Sequence, residues 1–294
     1  MTWGGGVALL ALLGLSGAPA AVDEAYRARV QRWRETREAG LKAERGWLSV
    51  AGLFWLEEGP NRLGAGPGRD IALPADSPAT GVVELRAGKV TVTLDPGVEG
   101  TIGGKVVTVA ELGPDTSEAP DVLRLGRLSL HLIERGDRLG IRLKDPEAPS
   151  RRHFTGLTWY DVDERYRVRA RFVPYETPKS IRVPNVLGQS VPMPSPGYAT
   201  FEMQGKGVRL EGVLEEEDAQ ELFFIIRDLT SGKETYPAGR FLYSDLPKGG
   251  EVVLDFNKAY NPPCAFTEFA TCPLPPPQNW MPVRVEAGEK RYGH

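Results

Sequence analysis

The densest group of polar side chains lies near the C-terminus, in residues 255–279. Proline pairs and runs interrupt this segment, and its polar members are Asp255, Asn257, Tyr260, Asn261 and Asn279. Because proline fixes the backbone without supplying an N–H donor, we expect a stiff loop. A stiff loop that presents a carboxylate, amides and a phenol can orient a small polar ligand. The alternative is that the Asp and Asn side chains satisfy the loop backbone through Asx-type turns.

Charged residues outside the loop could complete such a site. Arg240 suits a carboxylate or phosphate on a ligand, because a guanidinium forms paired hydrogen bonds with either group. Asp255 or Glu286 could serve as the carboxylate base of a hydrolase or transferase that holds its substrate through Arg240. Glu289 and Lys290 follow closely, and the alternative for these late charges is a solvated surface. The candidate ligand-binding set is therefore Arg240, Asp255, Asn257, Tyr260, Asn261, Asn279 and Glu286.

Established catalytic signatures are missing from the sequence. It contains no G-x-S-x-G nucleophile elbow, no H-E-x-x-H pair and no P-loop. The leading hypothesis is therefore a protein that binds a small molecule or glycan, the second is a hydrolase or transferase, and the third is a scaffold without a ligand. No cofactor and no metal site are predicted. The 36 basic and 39 acidic residues give a net charge of −3, which offers no electrostatic reason to expect nucleic acid as a partner.

The two cysteines of the chain, Cys264 and Cys272, lie in the same loop. In an oxidising compartment such a pair predicts a disulfide, and closing so small a loop stabilises a fold by roughly 2–3 kcal/mol. Free or redox-active thiols and metal ligation are the alternatives. The spacing does not match a zinc knuckle.

The N-terminal twenty residues carry no charged side chain and predict a secretory signal peptide. An apolar run at residues 7–15 leads to Ala18 and Ala20, which form an A-x-A cleavage pattern. Cleavage is expected between Ala20 and Ala21. The apolar run is shorter than the ~20 residues of a membrane span, so the mature chain is expected to lack one and to be secreted or periplasmic. The alternatives are an uncleaved anchor or a wrongly assigned start, since no Lys or Arg precedes the apolar run.

Residues 21–45 are predicted to form one amphipathic helix. Its apolar residues recur at helical spacing, and they are Val22, Tyr26, Val30, Trp33 and Leu41. Acidic residues are interspersed with the basic ones, so we expect the helix to pack on its own domain rather than on a membrane.

The rest of the chain is predicted to be mostly β. The 34 glycines and 25 prolines make up about a fifth of the chain, against a usual share of about 12 %. Such a frequency of breakers favours short strands and tight turns. We therefore expect two packed, sandwich-like or barrel-like β-rich halves, at residues 46–145 and 146–294. Strands are expected at residues 165–172, 179–183 and 282–286, among others, and a turn at residues 57–61.

Several motifs resemble a known family. They are TSGKETY at residues 230–236, GRFLY at 239–243, DFNKAYNPPCAFTEFATCPLPPPQN at 255–279, EAGEK at 286–290 and GWLSVAGLFWLEEGPNRLG from Gly46. Together they resemble the domain-of-unknown-function 1684 (DUF1684) family over nearly the whole chain after the leader. The resemblance implies a β-rich fold and brings no established activity with it.

The first half is also weakly similar to a forkhead-associated β-sandwich. That family binds phosphothreonine, but Ala65 stands where it has its phosphate-binding arginine, and Gly103-Gly104 replaces its usual Asn-Gly. The similarity therefore implies a sandwich shape without phosphopeptide binding.

Overall fold

The computed structural model describes Met1, residues 23–216 and residues 218–293. All of the predicted signal peptide except Met1, together with its cleavage point, lies outside these described residues. The helices are α1 (Glu24–Lys42) and α2 (Pro149–Arg152), with short 3-10 turns elsewhere. The strands are β1 (Val50–Trp55), β2 (Gly59–Ala65), β3 (Ile71–Leu73), β4 (Gly81–Arg86), β5 (Lys89–Leu94), β6 (Gly100–Ile102), β7 (Lys105–Val107), β8 (Val109–Glu111), β9 (Val122–Leu125), β10 (Leu128–Arg135), β11 (Arg138–Lys144), β12 (Arg167–Pro184), β13 (Ser190–Met203), β14 (Lys206–Gly212), β15 (Glu221–Ile226), β16 (Arg240–Asp245) and β17 (Glu251–Asp255).

The N-terminal half consists of two sheets that share one apolar core. One sheet has the order β1-β11-β10-β9-β6-β7, and the other has the order β3-β2-β4-β5-β8. Strands such as β5 alternate exposed and buried residues, as expected of a sheet with one face toward a core. Leu63 and Val92 from one sheet and Leu130 and Ile141 from the other are buried in the same cluster.

The C-terminal half is organised around the long hairpin of β12 and β13. This hairpin is the centre of a four-stranded sheet of order β14-β13-β12-β17, and a separate pair, β15-β16, packs against it. Phe201, Phe224, Leu242 and Phe256 are buried in the shared core. Aromatic and aliphatic side chains of this size account for most of the free energy gained by burial.

Helix α1 packs on the C-terminal half. Asp23 caps its start, because the Asp23 carboxylate accepts a hydrogen bond from the backbone N–H of Ala25 at 3.0 Å. Tyr26 and Val30 are buried against Val162. The predicted amphipathic helix is therefore confirmed, and it lies on its own chain. Within the described part of the chain, no helix has the length and apolar character needed to cross a membrane.

The strand pattern differs from the sequence prediction in three places. The strands expected at residues 165–172 and 179–183 are one strand, β12, with an irregularity between Pro174 and Lys179. Residues 59–65 form β2, where a turn was expected to reach Asn61, because residues 59–63 pair with β4. Residues 282–286 alternate buried and exposed side chains but form no strand. The backbone of Val285 bonds to side chains instead of to a neighbouring strand: its N–H donates to Asp228, and its carbonyl accepts from Arg240.

The two halves contact each other through polar side chains. The side-chain amide of Gln189, at the tip of the β12–β13 hairpin, donates to the carbonyl of Arg135 at 3.0 Å. Arg135 Nε in turn donates to the hydroxyl of Thr271 at 2.9 Å. The structure confirms a mostly β protein with an N-terminal helix and packed sheets, and the described strands form no closed barrel.

Candidate functional site

A cavity, called the helix cleft, lies between α1 and the C-terminal sheets. Its volume is about 740 Å³. One helical face of α1 forms one wall, since Tyr26, Arg29, Trp33 and Arg37 are three or four residues apart. Strands β12, β16 and β17 and the start of the C-terminal loop form the opposite wall. The cleft is therefore assembled from segments more than 200 residues apart in the sequence.

Charged side chains of both signs line the helix cleft. The basic ones are Arg29, Arg37, Arg167, Arg169, Lys248 and Lys258. The acidic ones are Glu221, Asp245, Glu251 and Asp255. The lining therefore has two more positive than negative groups, although the whole chain has a net charge of −3. A cleft with this excess attracts anions.

Asp255 and Tyr26 meet in one wall of the cleft. The Tyr26 hydroxyl donates to Asp255 Oδ1 at 2.7 Å, and the backbone N–H of Asn257 donates to the same oxygen at 3.2 Å. Burial raises the pKa of Tyr26, and the Asp255 carboxylate raises it further, so the phenol stays a hydrogen-bond donor at neutral pH. Asp255 Oδ2 accepts no hydrogen bond from the residues that the structure describes. One carboxylate oxygen is thus held in place while the other stays available.

Asn257 ties this wall to the loop before β12. Its side-chain amide donates to the carbonyl of Asp163 at 2.8 Å, and the backbone N–H of Asp163 donates back to Asn257 Oδ1 at 2.9 Å. The same amide also donates to the hydroxyl of Tyr26 at 2.9 Å. Asn257 is completely buried, and its polar atoms contact the protein itself. Its position matches the alternative in which the Asn side chains satisfy loop backbone.

Aromatic rings and one arginine close the other end of the cleft. The guanidinium of Arg37 lies 4.1 Å from the centre of the Tyr260 ring, and the Tyr260 ring is nearly parallel to that of Tyr243. The Tyr243 hydroxyl donates to Glu215 at 2.6 Å. Burial raises the pKa of Tyr260 to about 12 and raises that of Tyr243 as well. Both phenols are therefore neutral near pH 7 and can serve as donors.

Behind Tyr260 lies a buried carboxylate, Glu289, which is 0 % exposed. Arg37 Nε donates to it at 3.3 Å, and the side-chain amide of Asn261 donates to it at 2.7 Å. Burial raises the pKa of Glu289 to about 7, and the Arg37 charge opposes this shift only in part. Glu289 therefore does not take the surface role expected for a charge near the chain end; it holds the loop residue Asn261 and helix α1 together.

Arg240 lies in a separate, completely buried network. Its guanidinium donates to Asp228 at 2.9 Å and to the carbonyl of Val285 at 3.1 Å, and also to the carbonyl of Ala287. The Asp228 carboxylate also accepts from the hydroxyl of Thr230 at 2.6 Å. Arg240 therefore binds residues 285–289 to β16 and lines none of the described cavities.

Asn279 and Glu286 lie apart from both clusters. The Asn279 side chain bridges β14 and β15: it accepts from the N–H of Glu211 at 2.7 Å and donates to the carbonyl of Ile225 at 3.1 Å. Glu286 is exposed and pairs with Arg284 at 2.9 Å. The seven predicted residues thus do not surround one cavity. Of the seven, Asp255 and Tyr260 line the helix cleft.

The residues that sequence reasoning missed come from α1. Tyr26, Trp33 and Arg37 line the cleft, and the sequence signal for them was their common helical face. That face was interpreted as packing surface alone. The face both packs on the protein and lines the cleft, because Tyr26 is buried while Arg37 and Trp33 are partly exposed.

The predicted disulfide is not present in the structure, in which Cys264 and Cys272 are free thiols. The backbone N–H of Cys264 nevertheless lies 3.2 Å from Cys272 Sγ. In the described part of the chain, no three His, Cys, Asp or Glu side chains converge as metal ligands.

Comparisons with known proteins place the chain in a family without assigning an activity. Residues 152–290 match the model of a protein family of unknown function, DUF1684. The motif that begins at Gly46 lies outside that match, so the matched region is shorter than the resemblance predicted. No curated protein matches the chain. An uncharacterised protein of Haloarcula marismortui, solved by solution NMR, is 34 % identical over 50 % of this chain and 82 % of its own, with a TM-score of 0.42. Residues 152–290 of the chain therefore belong to the DUF1684 family of proteins of unknown function.

Proposed function

We propose that this protein is exported and binds a polar, anionic ligand in the helix cleft, in the cell envelope. The observation that carries the proposal is the excess of basic side chains around one cavity of about 740 Å³. Clefts of this size are typical of ligand sites. The C-terminal loop contributes to the cleft through Lys258 and Tyr260, and Asp255 lies directly before it.

The lining suits an acidic glycan. Trp33 and Tyr243 offer aromatic surface, and carboxylates such as Asp255 can accept hydrogen bonds from sugar hydroxyls. Arg29 and Arg167 can pair with carboxylates on the ligand. The cleft opens to solvent, so it also admits a chain that extends beyond it.

Calorimetric titration with a trimer of galacturonic acid, and with maltotriose as its neutral counterpart, tests the proposal. We expect the acidic trimer to bind more tightly and to lose affinity as salt is added, because exposed charges are screened. Arg29→Gln should weaken binding, whereas Arg32→Gln should not, since Arg32 is exposed on the same helix and does not line the cleft. The proposal is wrong if neither sugar binds, or if both variants bind the acidic trimer equally well.

Export rests on the uncharged leader and its A-x-A pattern. Cleavage before Ala21 would leave α1 intact, because the helix begins at Glu24. In an oxidising compartment, Cys264 and Cys272 would then join in the predicted disulfide. N-terminal sequencing and thiol counting of the protein from its native cells test both points. An intact Met1 contradicts cleavage of the leader, and two free thiols in the denatured protein contradict the disulfide.

A hydrolase or transferase that uses Asp255 as its base is the second candidate. The available Oδ2 of Asp255 at the cleft wall favours it, since Tyr26 and Asn257 hold the other oxygen. Arg240 is too deeply buried to hold the substrate, and Arg167 is the nearer candidate. If a panel of chromogenic esters, phosphate esters and glycosides reveals turnover, Asp255→Asn should abolish it without unfolding the protein. Unchanged turnover in that variant would exclude Asp255 as the base.

A further inference from the structure

A second cavity lies where the two halves of the chain meet and is called the junction cavity here. Its volume is about 370 Å³. Trp47 and Arg135 come from the N-terminal half, and Thr271 and Cys272 come from the C-terminal loop. Cavities of this size hold small organic molecules.

Arg142, on β11, stands against two residues of this cavity. Its guanidinium lies 5.1 Å from the centre of the Trp47 ring and 3.5 Å from the hydroxyl of Thr271. The Arg142 side chain is deeply buried, with 7 % of the residue exposed. Its Nε is buried without any hydrogen-bond partner, and the long contact with Thr271 is its one side-chain hydrogen bond within the described chain. A guanidinium has five N–H donors, so most of its hydrogen-bonding capacity is unused.

Among the residues that the structure describes, no carboxylate forms a salt bridge with Arg142. Asp115 is the carboxylate whose charge acts most strongly on Arg142. It already forms a bidentate ion pair with Arg135, whose guanidinium donates to its two oxygens at 3.0 and 2.8 Å. Arg142 itself forms no salt bridge with the residues that the structure describes. A buried cation without a partner is costly, so this arrangement points to an anion supplied from outside the chain.

The remaining lining indicates what kind of anion fits. Arg37 and Arg135 add positive charge to the lining, and its acidic residue, Glu215, accepts a hydrogen bond from the Tyr243 hydroxyl. Phe241, Pro263 and Pro273 provide apolar surface. We propose that the junction cavity binds a small organic carboxylate, with its carboxylate on Arg142 and its apolar body against these residues. A bare inorganic oxyanion would leave the apolar surface unused.

The junction cavity adjoins the helix cleft, since Arg37, Tyr243 and Tyr260 line both. Arg142 lines neither cavity; it contacts Trp47 and Thr271, which line the junction cavity and not the helix cleft. A substitution of Arg142 therefore perturbs the junction cavity and leaves the lining of the helix cleft unchanged.

Calorimetric titration of the full chain with benzoate at millimolar concentrations tests the proposal, with benzamide as the neutral probe. Benzoate should bind, and benzamide should bind at least about tenfold more weakly, because a charge-assisted hydrogen bond is lost. Arg142→Met should weaken benzoate binding by at least about tenfold, and Arg142→Lys should weaken it less, because it keeps the positive charge but loses the paired donors of the guanidinium. Arg138→Met is the matched control, since Arg138 lies on the same strand and stacks on the ring of Trp55 at 4.1 Å.

Urea unfolding of each variant shows whether it is folded. We expect Arg142→Met to be as stable as the parent, because it removes an uncompensated buried charge. If Arg142→Met fails to fold, the proposal is tested by the Arg142→Lys variant and by the comparison of benzoate with benzamide. The absence of benzoate binding, equal binding of the two probes, or unchanged affinity in Arg142→Met would each overturn the proposal.

Discussion

The buried carboxylate of Glu289 should make the stability of this protein depend on pH near neutrality. Burial raises its pKa from 4.5 to about 7. Since one pH unit corresponds to about 1.4 kcal/mol, the two protonation states differ in folding free energy by about 3 kcal/mol. The folded protein holds the proton more tightly than the unfolded chain does. The stabilisation is therefore complete below about pH 4.5 and is lost as the pH rises through about 7.

Glu289→Gln removes the titration while keeping the size of the side chain. Urea unfolding of parent and variant, followed by tryptophan fluorescence between pH 4.5 and 8 at constant ionic strength, measures the effect. The stability of the parent relative to the variant should fall by up to about 3 kcal/mol across this range. Taking the difference between the two proteins cancels the titration of all other groups that do not interact with residue 289.

Glu286→Gln is the matched control, because Glu286 is exposed and pairs with Arg284 at the surface. Its stability relative to the parent should stay within about 0.5 kcal/mol across the same range. The reasoning about Glu289 is refuted if parent and Glu289→Gln remain equally far apart in stability from pH 4.5 to 8. It is also refuted if the parent gains stability over the variant as the pH rises.

Three further substitutions test the buried polar networks by urea unfolding. Arg240→Met should cost about 3–5 kcal/mol, because it leaves the carboxylate of Asp228 buried without its cation. Asn279→Ala should cost about 2–3 kcal/mol, since its amide bonds to the backbone of both β14 and β15. Tyr26→Phe should cost about 1–2 kcal/mol, because it removes the hydrogen bond to Asp255.

Two surface substitutions serve as controls, an arginine for Arg240 and an amide side chain for Asn279. Arg284→Met and Gln220→Ala alter side chains at the surface, and each should change the free energy of unfolding by less than about 0.5 kcal/mol. If Arg240→Met or Asn279→Ala is no more destabilising than its control, the corresponding network does not hold the C-terminal segment in place. A Tyr26→Phe variant as stable as the parent would show that Asp255 is satisfied without the phenol.

The spacing of apolar residues predicted helices and strands well where residues close in sequence determine them. The apolar spacing of Tyr26 and Val30 identified α1, and the alternation in segments such as β5 identified strands. Residues 282–286 show the limit of such patterns. Their side chains alternate as in a strand, yet the backbone of Val285 bonds to the side chains of Asp228 and Arg240. A pattern of burial cannot say whether a backbone group bonds to another strand or to a distant side chain.

The candidate site was harder to predict because it depends on contacts between distant parts of the chain. Asp255 and Tyr260 reach the helix cleft, but their partners Tyr26 and Arg37 come from the opposite end of the sequence. Arg240 and Asn279 have residue types common in ligand sites, and the structure uses them to satisfy buried backbone. A polar residue type in a sequence does not reveal whether its partner is a ligand or the protein.

The sequence by itself determined the class of the fold, the N-terminal helix and the position of the polar, proline-rich loop near the C-terminus. These follow from periodicity, breaker residues and proline, which act over a few neighbouring residues. Tertiary structure decided which polar groups are buried, which of them meet, and where cavities remain. It alone placed Glu289 inside the protein, Arg142 without a counter-charge and the face of α1 opposite Asp255. The physical reason is that pKa shifts, unpaired charges and cavities depend on side chains brought together from distant positions in the chain.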